Sequence, residues 1–189
     1  YQPLFTAFGP KAIEHRLKTS SAKLVVTNTA NRTKLAEIEN CPKVATVLAS
    51  GEGLPTGDID YRAATAAASV DCSPVLRRGS DLFMMMSTSG TAGLPKGVPV
   101  PLYALLAFGA YMREAIGLQP DDVFWNIADP GWAYGLYYAV TGPLQLGMAT
   151  TLYEGGFTAE STYDIIERLG VTSLAGSPTA FRLLMAEGG

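Results

Sequence analysis

Short apolar, β-prone runs alternate with helical patterns along this chain, and that alternation narrows its fold more than any other feature. Leu24–Thr27, Val44–Leu48, Leu82–Ser87, Val98–Val100, Val123–Ile127, Thr150–Tyr153 and Ser173–Ala175 read as strands. Pro10–Lys18, Thr33–Glu39, Tyr61–Ala68, Tyr103–Ile116 and Thr158–Leu169 read as helices, with Thr158 placed to cap its first turn. Ser177 at an N-cap and Pro178 at the first helical position start a last helix through Met185. Such alternation predicts the α/β class, with layered sheets covered by helices. Gly51–Asp58 is a Gly- and Pro-rich loop, and the segment around 72–80, with Pro74, Arg77 and Arg78, reads as a connector between two halves.

Composition excludes several functions. Of 189 residues, 48% are hydrophobic and 16% charged, enough apolar content for a packed core. Fourteen Lys and Arg stand against seventeen Asp and Glu, with no basic block, so nucleic acid is not an expected partner. Pro130–Tyr153 carries no charged residue, but Gly131, Gly135, Gly142, Pro143 and Gly147 break it into a helix and a strand, and no membrane span is expected. Cys41 and Cys72 are far apart, with no CxxC and no clustered His, so neither a metal site nor a disulfide framework is assigned. Reduced thiols and the lack of a signal-like opening fit a cytoplasmic setting. The single histidine, His15, lies on the Pro10–Lys18 helix and reads as a solvated surface residue. A catalytic triad would have to be built around it, and no GxSxG accompanies it.

The segment richest in chemistry is Ser87-Thr88-Ser89-Gly90-Thr91-Ala92-Gly93-Leu94-Pro95-Lys96-Gly97, lying between two predicted strands. Glycines let backbone N–H groups converge on a polyanion, hydroxyls add donors, and an ammonium supplies compensating charge. A Walker A loop would place glycine directly before the lysine and Ser or Thr directly after it, then open a helix. Here Pro95 and Gly97 flank Lys96 and a strand follows, so that class is excluded. Gly51-Glu52-Gly53 is only a fragment of GxGxxG, because Thr56 stands at the third position.

Thr88-Ser89-Gly90-Thr91 with Gly93, Pro95, Lys96 and Gly97 resembles the phosphate loop of the adenylate-forming enzymes, roughly TSG[ST]TGxPKG. Ala92 departs from that pattern, where a hydroxyl is usual. Ala128-Asp129-Pro130-Gly131-Trp132-Ala133-Tyr134-Gly135 is similar to the Asp-x-Gly-Trp segment of the acetyl- and medium-chain acyl-CoA synthetases within that family. Gly176-Ser177-Pro178-Thr179-Ala180-Phe181-Arg182 resembles the family's Ala-Pro-Thr-Ala-x-Arg segment, although helix capping explains Ser177 and Pro178 equally well. Leu24–Thr27 followed by Arg32 resembles, at slightly shifted spacing, the region that meets the CoA 3′-phosphate.

The resemblance implies that residues 1–189 are part of a large N-terminal adenylation domain, with the family's C-terminal domain outside this chain. It implies an ATP-dependent acyl-CoA synthetase acting on a small or medium-chain carboxylic acid, with ATP, magnesium and CoA as cofactor and co-substrates. Thr88, Ser89, Gly90, Thr91, Gly93 and Lys96 would bind the ATP phosphates. Trp132, Ala133 and Tyr134 would line the acyl pocket, while Tyr137 and Tyr138 read as a core layer. Gly176, Ser177 and Pro178 would lie near nucleotide and pantetheine, and Arg32 and Lys34 near the CoA phosphate. No protein metal ligands are assigned, the 189 residues alone are expected to be inactive, and the oligomeric state is left open. Two alternatives stay open: an adenylation enzyme that loads a carrier-protein thiol, and a non-catalytic nucleotide-binding relative.

Overall fold

A computed structural model describes residues 1–88 and 95–187. The chain divides into two compact units, Tyr1–Arg78 with Met84–Pro99, and Gly79–Phe83 with Val100–Gly189.

The first unit is built on a parallel sheet in the order β1-β2-β3, comprising Leu24–Asn28, Lys43–Val47 and Ile59–Asp60. Helix α1, Pro10–Ser20, has Gly9 as N-cap and proline at its first position, where the missing N–H removes no helical bond. Its buried residues Ile13, Arg16 and Leu17 recur at helical spacing. Ile13 and Leu17 join Val25, Leu35, Ile38 and Val44 in one apolar cluster. Arg16 is buried because its guanidinium has local partners, donating to the Ala12 carbonyl at 2.8 Å and stacking 3.9 Å from the centre of the Phe8 ring. Burial lowers its pKa.

The helix predicted at Thr33–Glu39 forms earlier and shorter. The Asn28 carboxamide oxygen accepts the Asn31 N–H at 3.0 Å, so α2, Thr29–Arg32, starts at the end of β1 and continues as a 3-10 turn, Thr33–Leu35. Leu35 and Ile38 both enter the apolar cluster, which ends the helix as a turn over the core. Helix α3 covers Tyr61–Ala66 and is capped by the Asp60 carboxylate.

Strands β4, Leu82–Thr88, and β5, Lys96–Pro101, pair with each other, and β5 begins two residues before the predicted strand. In the second unit, α4, Ala104–Tyr111, runs into a π-helical turn, Met112–Ile116, stopped by Gly117 at φ +73°. β6, Phe124–Asn126, and β7, Ser173–Ala175, pair in parallel, with Asn126 opposite Ala175. The uncharged stretch forms α5, Ala133–Gly135, a π-helical turn, Leu136–Thr141, and α6, Gly142–Gln145. The strand predicted at Thr150–Tyr153 shrinks to a single bridge between Thr151 and Trp125. Tyr153 turns back over Gly155, where a Cβ would lie 2.5 Å from the ring, and so ends any further pairing. α7, Ala159–Leu169, is capped by Thr158 and ended by Gly170 in the left-handed region, and α8 covers Pro178–Glu187. Met112, Leu118, Phe124 and Ala175 form this unit's apolar centre. Among the described residues, no helix is long and apolar enough to cross a membrane.

Candidate functional site

The phosphate-loop candidates Ser89, Gly90, Thr91 and Gly93, together with Ala92, lie outside the described residues. The two ends of the loop are described: Thr88 is the last residue of β4 and Lys96 the first of β5, and both are exposed. Partners remote in sequence hold the two strands below them. The Met85 N–H donates to the Tyr1 carbonyl at 2.8 Å, and Gln2 Nε2 donates to Ser87 Oγ at 3.1 Å. His15 Nε2 lies 2.8 Å from the Pro95 carbonyl, immediately before Lys96. His15 is therefore half-buried and engaged, which corrects the reading of a solvated surface histidine; its partner is 80 residues away, and helical periodicity carries no trace of it. A Cβ on Gly97 would stand 2.9 Å from Met85 Sδ and 3.2 Å from Thr19 Cγ2, so a side chain there would require both of those side chains to shift.

Arg32 and Lys34 differ in electrostatics. Arg32 grips Asp58 with two bonds, Nε to Oδ2 at 2.7 Å and Nη2 to Oδ1 at 2.8 Å, and Thr46 Oγ1 donates to the same carboxylate at 2.5 Å. The Arg32 hydrogen bond, followed by that of Thr46, holds the Asp58 carboxyl below its usual range, while the same pairing raises Arg32. Lys34 instead donates to neutral acceptors, the Thr6 carbonyl and Asn31 Oδ1, the latter at 2.8 Å. It lines an open cleft of about 310 Å³ with Thr27, Asn28 and Asn31, beyond the carboxyl end of β1.

In the second unit, Asp129 organises the turn that presents Trp132, Ala133 and Tyr134. Its Oδ1 accepts the Gly131 N–H at 2.6 Å and its carbonyl accepts the Trp132 N–H at 3.0 Å. Gly135 is required there, since a Cβ would fall 2.1 Å from the Asp129 carbonyl oxygen. Trp132 is 48% exposed and so is not a core residue of this unit. Tyr134 packs edge-on to Tyr138 with ring centres 5.3 Å apart. Tyr138 stacks on Tyr111 at 4.0 Å, and Tyr137 stacks on Phe108 at 4.4 Å, in the core layer predicted for the pair. Burial first, then the neighbouring Tyr111 hydroxyl, pushes the Tyr134 phenol up.

Gly176 and Ser177 follow β7. A Cβ on Gly176 would meet Ile127 at 2.8 Å, and Ser177 Oγ accepts the Ala180 N–H at 3.2 Å, capping α8 above Pro178. The β6–β7 register sets Asn126 beside this segment, at the carboxyl ends of two parallel strands, where α/β folds place ligands. Asn126 is buried; its Oδ1 accepts the Ala128 N–H at 3.0 Å, while its Nδ2 has no partner among the described residues. The sequence reading passed over Asn126, although an amide inside the apolar run Val123–Ile127 is itself a signal.

Three relatives place this chain. It is 34% identical over 188 residues to the acetyl-coenzyme A synthetase of Bacillus subtilis (strain 168), covering 98% of this chain and 33% of that protein. The acetyl-coenzyme A synthetase of Vibrio cholerae is 33% identical over 98% of this chain and 32% of its own length. The crystal structure of a Brucella canis acyl-CoA synthetase superposes with a TM-score of 0.95 at 81% identity, covering all of this chain and 34% of that one. The chain thus spans about a third of the length of these relatives. The AMP-binding enzyme profile matches residues 1–189 throughout, and the chain belongs to that family.

Proposed function

We propose that the protein containing this chain is an acyl-CoA synthetase that activates a small or medium-chain carboxylic acid with ATP and passes the acyl group to CoA. A carboxylate oxygen attacks the α-phosphorus, the bond to the β-phosphate breaks, and pyrophosphate leaves. The CoA sulfur then attacks the acyl carbon, AMP departs, and the thiol proton passes to solvent. The observation that carries this reading is the pair of stem residues Thr88 and Lys96, a hydroxyl and an ammonium exposed at the two ends of a glycine-rich loop. Their donor chemistry fits a polyphosphate. Positioning and charge neutralisation are most of what such a transfer requires of the protein. The 81% identity to a protein called an acyl-CoA synthetase supports the same reading.

Ser89, Gly90, Thr91 and Gly93 complete the phosphate cradle in this proposal. Magnesium, when bound, supplies positive charge to the phosphate oxygens. Trp132, Ala133 and Tyr134 contact the acid; Gly176, Ser177 and Pro178 lie toward nucleotide and pantetheine. Arg32 and Lys34 lie toward the CoA phosphate, with Lys34 the freer cation because Arg32 is paired with Asp58.

Carboxylate-dependent exchange of pyrophosphate into ATP, run on the full open reading frame with short, medium and aromatic acids, tests the reading. Exchange with one acid class, followed by thioester formation with CoA, is expected; no exchange with any acid refutes it. Lys96→Ala is expected to lower exchange by about 100-fold, the scale of losing one charge-stabilising donor, with the protein still folded.

A further inference from the structure

We infer that His15 is a positioning residue for the phosphate loop, acting through the Pro95 carbonyl on the placement of Lys96. The inference rests on the adenylation reading above.

Three observations converge on residues 95–97. His15 Nε2 lies 2.8 Å from the Pro95 carbonyl oxygen. A carbonyl only accepts, so the ring nitrogen donates its N–H, which both the neutral Nε2–H tautomer and the imidazolium carry. Thr19 stands one helical turn further along α1, on the same face. Its methyl carbon lies 3.2 Å from the position that a Cβ on Gly97 would occupy, with Met85 Sδ on that same position at 2.9 Å. Thr19 Oγ1 also donates to the His15 carbonyl at 2.7 Å, fastening the two contact residues to one turn of α1.

The consequence follows from backbone geometry. Pro95 and Lys96 share a planar peptide unit. Fixing the Pro95 carbonyl therefore fixes the plane that leads into the Lys96 Cα, and β5, paired with β4, begins at Lys96 itself. Lys96 thus leaves the strand directly after an anchored peptide, and its ammonium starts from a set origin. An unpinned Pro95 carbonyl would let that plane rock, and misplacement of about 1 Å in a positioned group costs up to about 100-fold in rate.

The test uses the full-length protein with His15→Ala, the donor-less but bulky His15→Leu, and His15→Gln, whose amide N–H reaches to a similar distance. KM for ATP, KM for the acid and kcat are read from pyrophosphate exchange, and amide hydrogen exchange is read over residues 96–98. The expected result is a loss of about 10-fold in kcat/KM for ATP in the Ala and Leu variants, the scale of one hydrogen bond. KM for the acid is unchanged, amide exchange at Lys96 and Gly97 is faster, and Gln restores both. Unchanged ATP kinetics and amide protection in the donor-less variants would overturn the inference, as would failure of Gln to restore them or a parallel rise in KM for the acid. If His15→Ala does not fold, the Leu and Gln pair decides the matter. A folded wild-type protein with no exchange on any acid would refute the adenylation reading, while amide protection at 96–98 still decides whether His15 holds this stem.

Discussion

Arg32 and Lys34 are two residues apart and carry the same charge, yet Lys34 donates to neutral acceptors while Arg32 pairs with Asp58. Its buried carboxylate is satisfied by the Arg32 fork and the Thr46 hydroxyl, so removing it strands a cation and a hydroxyl together. Asp58→Ala is expected to destabilise the fold by about 2 kcal/mol, read by denaturant unfolding. The pH dependence follows from the lowered pKa: the pairing contributes fully above the unfolded aspartate value of 3.8 and is lost as pH falls below it toward the folded value. Asp58→Asn should flatten the acid limb of the stability curve, and an unchanged slope would show that other carboxylates set it. For the same reason Lys34→Ala should raise KM for CoA without loss of stability, whereas Arg32→Ala should lower the melting temperature; equal KM values for wild type and Lys34→Ala would remove Lys34 from the CoA site.

Helix starts with local capping signals were legible in the sequence. Thr158 caps α7 and Gly170 ends it, and Thr158→Ala is expected to cost about 1 kcal/mol, measured by thermal unfolding. The π-helical turns at Met112–Ile116 and Leu136–Thr141 were not legible, because an i→i+5 turn shares its residue types with an α-helix and arises from packing. Gly142 illustrates that packing, since a Cβ there would lie 2.6 Å from the Met112 side chain. The Thr33–Glu39 helix was misplaced because Leu35 and Ile38 fit a helical period but are used as a turn over the core. Gly135, the last residue of α5, lets the helix lie against the Asp129 carbonyl, so Gly135→Ala is expected to cost about 3 kcal/mol and to shift Ala133 and Tyr134, which an altered acid profile would reveal.

For the molecule as a whole, the proposed chemistry turns on which acid is accepted. Ala133→Leu narrows the space beside Tyr134 and is expected to move the preferred acid to a shorter chain in thioester-formation assays; an unchanged profile would take Ala133 out of the pocket. The family was readable from the chain alone, because the hydroxyls, glycines and lysine of its motif are contiguous in sequence. The alternation of strands and helices was readable for the same reason, since periodicity and capping are properties of neighbouring residues. Tertiary structure decided what depends on distant partners. His15 meets Pro95 across 80 residues, Arg32 meets Asp58 across 26, and Asn126 is set beside Ala175 by strand register. Each of those roles is fixed by a hydrogen bond or pairing that exists only after the chain has folded, so composition and local pattern carry no record of it.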